Sequence, residues 1–252
     1  MTPSFLRRTA AGLVLACAAI VSAHAADAPK ISDAERAKIE AIVHDYLMNN
    51  PQVVLESVQA YQEKIEAEKE ATAKAAIAAR KSDLLNDPDN QVLGNKTSDC
   101  VVVEFFDNQC PYCQLNEPEL EKLLKEDARI KLVLKEYPIL GPVSTVASQA
   151  ALASVKQGKY EAFHKALLTH KGHYDSDKVV FDIAKDVGLD LDKLRQDMKA
   201  AEIQKQIARN LDLGKALAIK GTPGFVIGDQ IVAGASSMEE LKQYVAAACP
   251  AG

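Results

Sequence analysis

The stretch that most constrains the fold of this 252-residue chain runs from Val101 to Cys113 and reads VVVEFFDNQCPYC. Its first six residues are β-branched, aromatic or acidic, and they predict a short strand. A brief turn then leads to Cys110-Pro111-Tyr112-Cys113. Proline suits the first position of a helix because its missing N–H would have no partner there. The stretch therefore predicts a strand, a turn and a helix whose first turn carries two cysteines.

Two cysteines separated by two residues can either form a reversible disulfide or supply half of a tetrahedral zinc site. Zinc needs two further ligands at similar spacing, and the other cysteines stand alone at Cys17, Cys100 and Cys249. The five histidines have no metal-like pairing to the cysteines. We therefore predict a redox site that holds neither a metal nor a cofactor.

The position of Cys110 explains why such a site is reactive. Unpaired N–H groups and the helix dipole stabilise a thiolate at a helix N-terminus, so the pKa of Cys110 should be depressed. Cys113 lies one helical turn inward and is the sheltered thiol that would resolve a mixed disulfide. Glu104 is either a buried acid that exchanges a proton with Cys113 or an edge residue that faces water. The apolar neighbours on both sides favour the buried acid.

Three segments of the chain, EFFDNQCPYC, KEYPILGPVS and KGTPGFVIGDQIVAGA, resemble the Dsb group of periplasmic thiol-disulfide oxidoreductases. Within that group the chain is most similar to the suppressor-of-copper-sensitivity (ScsC-like) type, over roughly residues 35–248. The resemblance implies that Thr222 and Pro223 form a cis-proline loop that faces the cysteines. Together with Pro111 and Tyr112, this loop would form the surface that meets a substrate peptide. It also implies a membrane redox partner that recycles the site.

The resemblance further implies an α/β thioredoxin fold with an inserted helical domain. The catalytic domain would comprise residues 100–142 and 220–252, and the insertion residues 143–219. In the implied topology the final helix returns to the end of the sheet opposite the active site, which brings Cys249 close to Cys100. We expect a structural disulfide between these two residues, and the alternative is two unpaired thiols.

Residues 1–25 have the pattern of a secretory signal peptide. An Arg7-Arg8 pair precedes an apolar stretch and a small-residue cleavage site, Ala23-His24-Ala25. Lipidation at Cys17 is the alternative. Export would place the protein in the periplasm, where disulfides persist. The formal net charge of −5, without a basic stripe, argues against a nucleic-acid partner, and no second apolar segment is long enough to span a membrane.

Residues 26–85 predict a helical stalk, followed by a polar, turn-rich linker at residues 86–99. Ser32 and Glu35 form a capping box. Farther along, apolar residues recur with steps of four, three and four, as in a coiled coil: Val54, Val58, Tyr61 and Ile65. So narrow a stripe needs a partner surface. That surface is either a second copy of the chain, which makes the protein a homo-oligomer, or the chain's own catalytic domain. The sequence does not separate a dimer from a trimer.

These features predict an enzyme that exchanges disulfides with exported proteins. The Pro-Tyr dipeptide lacks a histidine that would add local charge, and Thr222 before the proline resembles isomerases more than strong oxidases. We therefore favour an isomerase or reductase over an oxidase. A different class of function is a copper-binding or copper-tolerance protein that uses Cys110 and Cys113 as soft Cu(I) ligands. The third alternative is an envelope structural protein that only retains the fold.

Overall fold

A computed structural model of the protein describes residues 31–249, apart from residue 173. The predicted signal peptide and Cys17 therefore lie outside the described residues. The chain divides into two compact units between Ala60 and Tyr61. Within the described part, no helix combines the length and the apolar character that a membrane crossing requires.

The described residues form ten α-helices, one short 3-10 helix (Val155–Gln157) and five strands. The strands are β1 (Gln91–Gly94), β2 (Cys100–Phe106), β3 (Ile130–Glu136), β4 (Gly224–Ile227) and β5 (Gln230–Ala233). The α-helices are α1 (Asp33–Asn49), α2 (Gln52–Ala79), α3 (Lys81–Leu85), α4 (Pro111–Glu126), α5 (Pro142–Ser154), α6 (Tyr160–Leu168), α7 (Asp177–Asp186), α8 (Leu191–Asp197), α9 (Ala201–Ala216) and α10 (Met238–Ala248).

The five strands form one sheet in the order β1-β3-β2-β4-β5, with β2 at its centre. β2 and β3 are parallel and are joined through α4, whereas β4 pairs antiparallel with β2. β4 and β5 form a hairpin. Because β4 runs against β2, the residues just before β4 meet the carboxyl end of β2. This topology brings the loop at Thr222 next to the turn at Cys110.

Each face of the sheet carries its own hydrophobic cluster, because successive side chains of a strand point to opposite faces. Val102 and Phe106 of β2 belong to the cluster that includes Cys110 and Cys113. Val103 and Phe105 belong to the cluster on the other face. Glu104 shares its face with Val102 and Phe106, and this alternation directs its carboxylate toward the helix that carries the cysteines.

The segment of residues 86–99, predicted as a linker, contains the edge strand β1. β1 pairs antiparallel with β3. Leu93 packs against the cluster that contains the cysteines, and Val92 packs against the opposite cluster. Two adjacent apolar residues are too short a signal for a strand, and β1 forms because each of them completes a core on one face of the sheet.

The amino-terminal helices present apolar side chains to solvent. α1 opens with the predicted capping box of Ser32 and Glu35, and none of its residues is buried. Among the large apolar residues of α1 and the start of α2, Ile42 is 68% exposed and Leu55 is 71% exposed. The carboxyl-terminal end of α2 is packed against the rest of its unit, unlike the start of the helix. Ile77 is buried against the sheet, and Lys74 lies 2.8 Å from Asp229.

The segment between β3 and β4 contains five α-helices, α5 to α9. Helix α5 packs against α6, α7, α8 and α9, and α6 also contacts α4. The predicted helical insertion is therefore present beside the helix that carries the cysteines, and the thioredoxin fold is confirmed.

Candidate active site

The candidate active site is built on the amino-terminal end of α4. Cys110 is the N-cap residue and Pro111 is the first residue of the helix. The backbone N–H of Cys110 donates to the carbonyl of Asp107 at 2.9 Å, which closes the turn between β2 and α4. Cys110 and Cys113 are present as thiols and are 4% and 1% exposed. Pro111 and Tyr112 are exposed beside them.

The loop before β4 lies against Cys110. The Cys110 Sγ donates to the backbone carbonyl of Thr222 at 3.0 Å, across 112 residues of sequence. The Thr222–Pro223 peptide bond is cis. Pro223 is buried, and its carbonyl accepts a hydrogen bond from Gly234. The structure therefore brings together Cys110, Cys113, Thr222 and Pro223, as the resemblance to the Dsb group implied.

The two thiols differ in acidity. A hydrogen bond from Cys113 and further hydrogen bonds from backbone N–H groups at the helix start lower the pKa of Cys110 to about 6, although burial acts in the opposite direction. Burial, followed by the hydrogen bond to Cys110 and the charge of Glu104, raises the pKa of Cys113. These opposite shifts favour a thiolate at Cys110 and a protonated thiol at Cys113 at neutral pH.

Glu104 is buried beneath the cysteines, with 1% of its surface exposed. Neither carboxylate oxygen has a hydrogen-bond partner among the residues that the structure describes. Burial, and then the charges of Glu117, Cys110 and Glu136, hold the pKa of this carboxyl well above its ordinary value. The geometry matches the buried acid that the sequence favoured and not an edge residue in water.

Asp107 joins two loops at the carboxyl end of the sheet, and the sequence analysis missed it. One carboxylate oxygen accepts the backbone N–H of Gln109 at 2.9 Å. The other accepts the N–H groups of Ile139 and Leu140 at 2.9 and 3.0 Å. Ile139 and Leu140, together with Tyr112 and Leu115, are large apolar residues left exposed. The sequence feature that could have identified Asp107 is an aspartate directly after a buried strand.

Glu136 is a second buried carboxylate, at the end of β3. It accepts hydrogen bonds from Asn108, Ser148 and Tyr160, at 2.8, 2.8 and 3.1 Å. Burial raises its pKa to about 8, although these hydrogen bonds act in the opposite direction. Asn108 lies in the turn before Cys110, so Glu136 connects the active-site turn to helices α5 and α6.

Cys100 and Cys249 lie away from the active site and are joined by a disulfide. Cys100 is the first residue of β2, whereas Cys110 follows the last residue of that strand. Cys249 caps the carboxyl end of α10. The two cysteine pairs therefore occupy opposite ends of the central strand.

Comparison with known proteins identifies related domains in both parts of the chain. A family model described as a DSBA-like thioredoxin domain matches residues 101–246. A second family, described as the copper resistance protein ScsC N-terminal domain, matches residues 35–68.

Two solved structures are similar over most of the chain. A thioredoxin-like oxidoreductase from Silicibacter pomeroyi DSS-3 is 43% identical, covering 68% of this chain and 98% of its own, with a TM-score of 0.66. A linker-deletion mutant of Proteus mirabilis ScsC is 30% identical, covering 86% of this chain and 95% of its own, also with a TM-score of 0.66.

One curated relative, the Na(+)/H(+) antiporter NhaA 1 of Salinispora arenicola, is 31% identical over 165 residues. The match covers 64% of this chain and 25% of the antiporter. This chain therefore spans about a quarter of the length of the first curated relatives that it matches.

The fold and the family match place this chain in the class of DsbA-like proteins with a thioredoxin fold. The chain belongs to the DsbA-like thioredoxin family, and its amino-terminal part matches the ScsC N-terminal domain. The resemblance drawn from the sequence segments is thereby confirmed.

Proposed function

We propose that this protein exchanges disulfides with exported proteins, with Cys110 as the attacking thiolate and Cys113 as the resolving thiol. The observation that carries the proposal is the contrast between the two thiols. The pKa of Cys110 is lowered to about 6, whereas that of the buried Cys113 is raised. One thiolate that attacks and one protected thiol that resolves are what a two-step exchange requires.

The surroundings of Cys110 support a polypeptide as the substrate. Tyr112 and Leu115 are 62% and 69% exposed, and Ile139 and Leu140 lie on the loop tied to the same turn by Asp107. Exposed apolar residues around a reactive thiol favour unfolded protein segments, which themselves expose apolar side chains. Pro111, Thr222 and Pro223 complete this surface in the proposal.

The acidity of Cys110 supports isomerase or reductase activity over oxidase activity. A strong oxidase has a heavily stabilised thiolate, and the known range for paired cysteines runs from about 3.5 to about 7.5. A pKa of about 6 lies well above the strongly oxidising end of that range. The exposed apolar faces of α1 and α2 support a homo-oligomer, in which several redox sites can hold one misfolded substrate.

We place this activity in the periplasm, reached through the signal peptide of residues 1–25 and sustained by a membrane redox partner. The sequence pattern of residues 1–25 and membership in the family support both the periplasmic location and the membrane redox partner.

The test of the proposed function compares two reactions of the purified protein. The reduced form should restore native pairing to a protein with scrambled disulfides faster than the oxidised form oxidises a reduced peptide. Replacement Cys110→Ser should abolish both reactions, and Cys113→Ser should trap a mixed disulfide with the substrate. Rapid peptide oxidation without restoration of native pairing would favour the oxidase alternative.

A copper-linked function is a second candidate, because the amino-terminal match is to a domain described by copper resistance. Two neighbouring thiols can bind Cu(I). Titration of the reduced protein with Cu(I) against a competing chelator discriminates the two functions. Tight stoichiometric binding by a protein that does not turn over a disulfide substrate would favour the copper-binding function.

A further inference from the structure

Asp107, directly after β2, carries a buried carboxylate that holds two separate segments of backbone. The residue is 0% exposed. One oxygen accepts the N–H of Gln109, and the other accepts the N–H groups of Ile139 and Leu140, which lie 32 and 33 residues farther along the chain. A carboxylate loses its water on burial, and charge-assisted hydrogen bonds have to compensate for that loss. These three bonds therefore stabilise the carboxylate and fix both segments at the same time.

The first segment is the turn that carries the reactive thiol. The backbone carbonyl of Asp107 accepts the N–H of Cys110 at 2.9 Å, in addition to the bond between its carboxylate and the N–H of Gln109. The Gln109 side chain donates to the hydroxyl of Ser144 at 3.0 Å, in the first turn of α5. Several hydrogen bonds thus hold the turn, and the carboxylate supplies only one of them.

The second segment is the loop that joins β3 to α5. This loop exposes two large apolar side chains, Ile139 at 38% and Leu140 at 53%. Their N–H groups donate to the same carboxylate oxygen, at 2.9 and 3.0 Å. Two hydrogen bonds from consecutive residues fix the direction of the loop backbone, and with it the direction of both side chains. The position of these apolar side chains beside the turn of Cys110 therefore depends on Asp107.

An aspartate can hold both segments at once, whereas an asparagine cannot. A carboxylate has two oxygens that accept, but an asparagine side chain has one accepting oxygen and one donating NH2 group. Asparagine and aspartate both bond readily to the backbone two residues ahead. In Asp107→Asn the oxygen should therefore keep the N–H of Gln109, and the NH2 group should face the N–H groups of the loop. This substitution is expected to release the loop and to leave the turn in place.

A fixed apolar loop beside a thiol affects large and small substrates differently. Contacts away from the reacting atoms can hold and orient a substrate, but only a substrate long enough to reach them benefits. An unfolded polypeptide exposes apolar side chains on both sides of its cysteine, whereas a small disulfide has none to offer. The loop should therefore contribute to the binding of polypeptides and not to the exchange chemistry itself.

We propose that Asp107 is a positioning residue that fixes the Ile139–Leu140 loop beside Cys110, so that the loop selects polypeptide substrates over small disulfides. This inference rests on the proposed function. The carboxylate acts through the loop backbone, and no bond forms or breaks at Asp107. The exchange at the two cysteines is the one already proposed, without an additional step.

The test uses the reduced full-length protein and two substrates that carry the same disulfide. One is an unfolded polypeptide whose single cysteine is joined to 2-nitro-5-thiobenzoate, and the other is free cysteine joined to the same group. Each turnover oxidises the two protein thiols, reduces the mixed disulfide and releases one coloured thiolate. The rate at increasing substrate concentration gives a half-saturating concentration and a limiting rate.

In Asp107→Asn the half-saturating concentration of the polypeptide should rise by about tenfold, because binding contacts are lost. The limiting rate, and the rate with the small substrate, should stay within about twofold of the parent. Ile139→Ser combined with Leu140→Ser should have the same effect without disturbing the buried carboxylate. The triple variant should bind the polypeptide no more weakly than this double variant, because Asp107 acts through the loop.

Two exposed residues provide matched controls. Asp99→Asn removes the same charge at the opposite end of β2, and Val155→Ser removes an apolar side chain that is 40% exposed beyond the carboxyl end of α5. Both controls should behave like the parent. Should Asp107→Asn fail to fold, the double variant of the loop decides the question.

Three results would overturn this inference and leave the proposed function intact. The first is an unchanged half-saturating concentration in the double variant of the loop. The second is equal slowing of both substrates in Asp107→Asn, since the effect would then be on the turn of Cys110. The third is a triple variant in which the effects of Asp107 and of the loop simply add. A parent protein that releases no thiolate from either substrate would remove the proposed function and this inference together.

Discussion

The reactivity of Cys110 comes from the groups around one sulfur atom. Its thiolate lies at the start of α4, where backbone N–H groups are not used by the helix. The hydrogen bond from Cys113 adds to this stabilisation, and together these hydrogen bonds outweigh burial. Among the residues that the structure describes, hydrogen bonds rather than a positively charged side chain lower the pKa of this thiol.

The first prediction concerns this thiolate. Alkylation of reduced protein by iodoacetamide should follow a titration with a midpoint of about 6. Cys113→Ala removes the hydrogen bond that most lowers the pKa of Cys110, so the midpoint should move upward and the rate at pH 6 should fall by about threefold. Mass spectrometry of the labelled peptide measures the rate. A midpoint equal to that of an ordinary thiol would contradict this account of the site.

The second prediction concerns Glu136, whose pKa is raised to about 8 from an ordinary value of 4.5. Between these two pH values the folded protein keeps a proton on Glu136 that the unfolded chain releases. The contribution of Glu136 to the free energy of unfolding is therefore complete below pH 4.5 and disappears as the pH rises to about 8. The free energy of unfolding of oxidised protein should therefore fall by roughly 3 to 4 kcal/mol between pH 5 and pH 8. Oxidised protein is used because Cys110, with its lowered pKa, acts in the opposite direction.

Urea unfolding at several pH values measures this slope. Glu136→Gln should make the slope shallower, whereas Glu70→Gln on the exposed surface of α2 should leave it unchanged. An unchanged slope in Glu136→Gln would mean that Glu136 does not titrate in this range.

Among the helices, α1 and α2 differ from the rest because their apolar side chains remain exposed. Ile42 and Val58 are 68% and 49% exposed. Helices with one narrow apolar stripe gain most of their stability by packing that stripe against a partner. Two heptads of such a stripe suit a short coiled coil, in agreement with the match to the ScsC N-terminal domain.

The third prediction follows from this exposed stripe. Ile42→Glu combined with Val58→Glu should reduce the mass in solution to that of one chain, measured by light scattering. Turnover of a small disulfide should not change, but restoration of native pairing in a scrambled protein should fall by about tenfold, because several sites no longer act on one substrate. Glu40→Lys, which changes charge on α1, is the control. An unchanged mass in the double variant would mean that the stripe is not the interface.

At the level of the whole molecule, the central strand joins the reactive dithiol to a second cysteine pair. The disulfide between Cys100 and Cys249 closes a loop with a sequence separation of 149 residues, which contains the entire sheet apart from β1. Such a closure reduces the conformational entropy of the unfolded chain more than it changes the folded protein.

The fourth prediction concerns this loop. Replacing both residues, Cys100→Ser with Cys249→Ser, should lower the free energy of unfolding by about 4 to 5 kcal/mol in the chain-entropy treatment. The acidity of Cys110 should not change, because the two pairs lie at opposite ends of β2. Denaturant unfolding and the alkylation midpoint measure the two effects. A shifted midpoint would mean that the ends of the strand are coupled.

The sequence predicted those parts of the protein that depend on local pattern. The strand and helix around Cys110 follow from residue types and from the proline at the first helical position. The thioredoxin fold and the resemblance to the Dsb group followed from three matching segments, and both are confirmed. The capping box at Ser32 is present for the same local reason.

The tertiary structure alone decided which distant groups meet. Strand β1 forms because Val92 and Leu93 complete the hydrophobic clusters on the two faces of the sheet. No local sequence pattern predicts this strand. The bridging role of Asp107 and the contact between Glu117 and His164 arise from loops and helices that are adjacent only in the folded chain. Local sequence fixes backbone geometry, whereas the acidity of the site depends on packing between segments far apart in sequence.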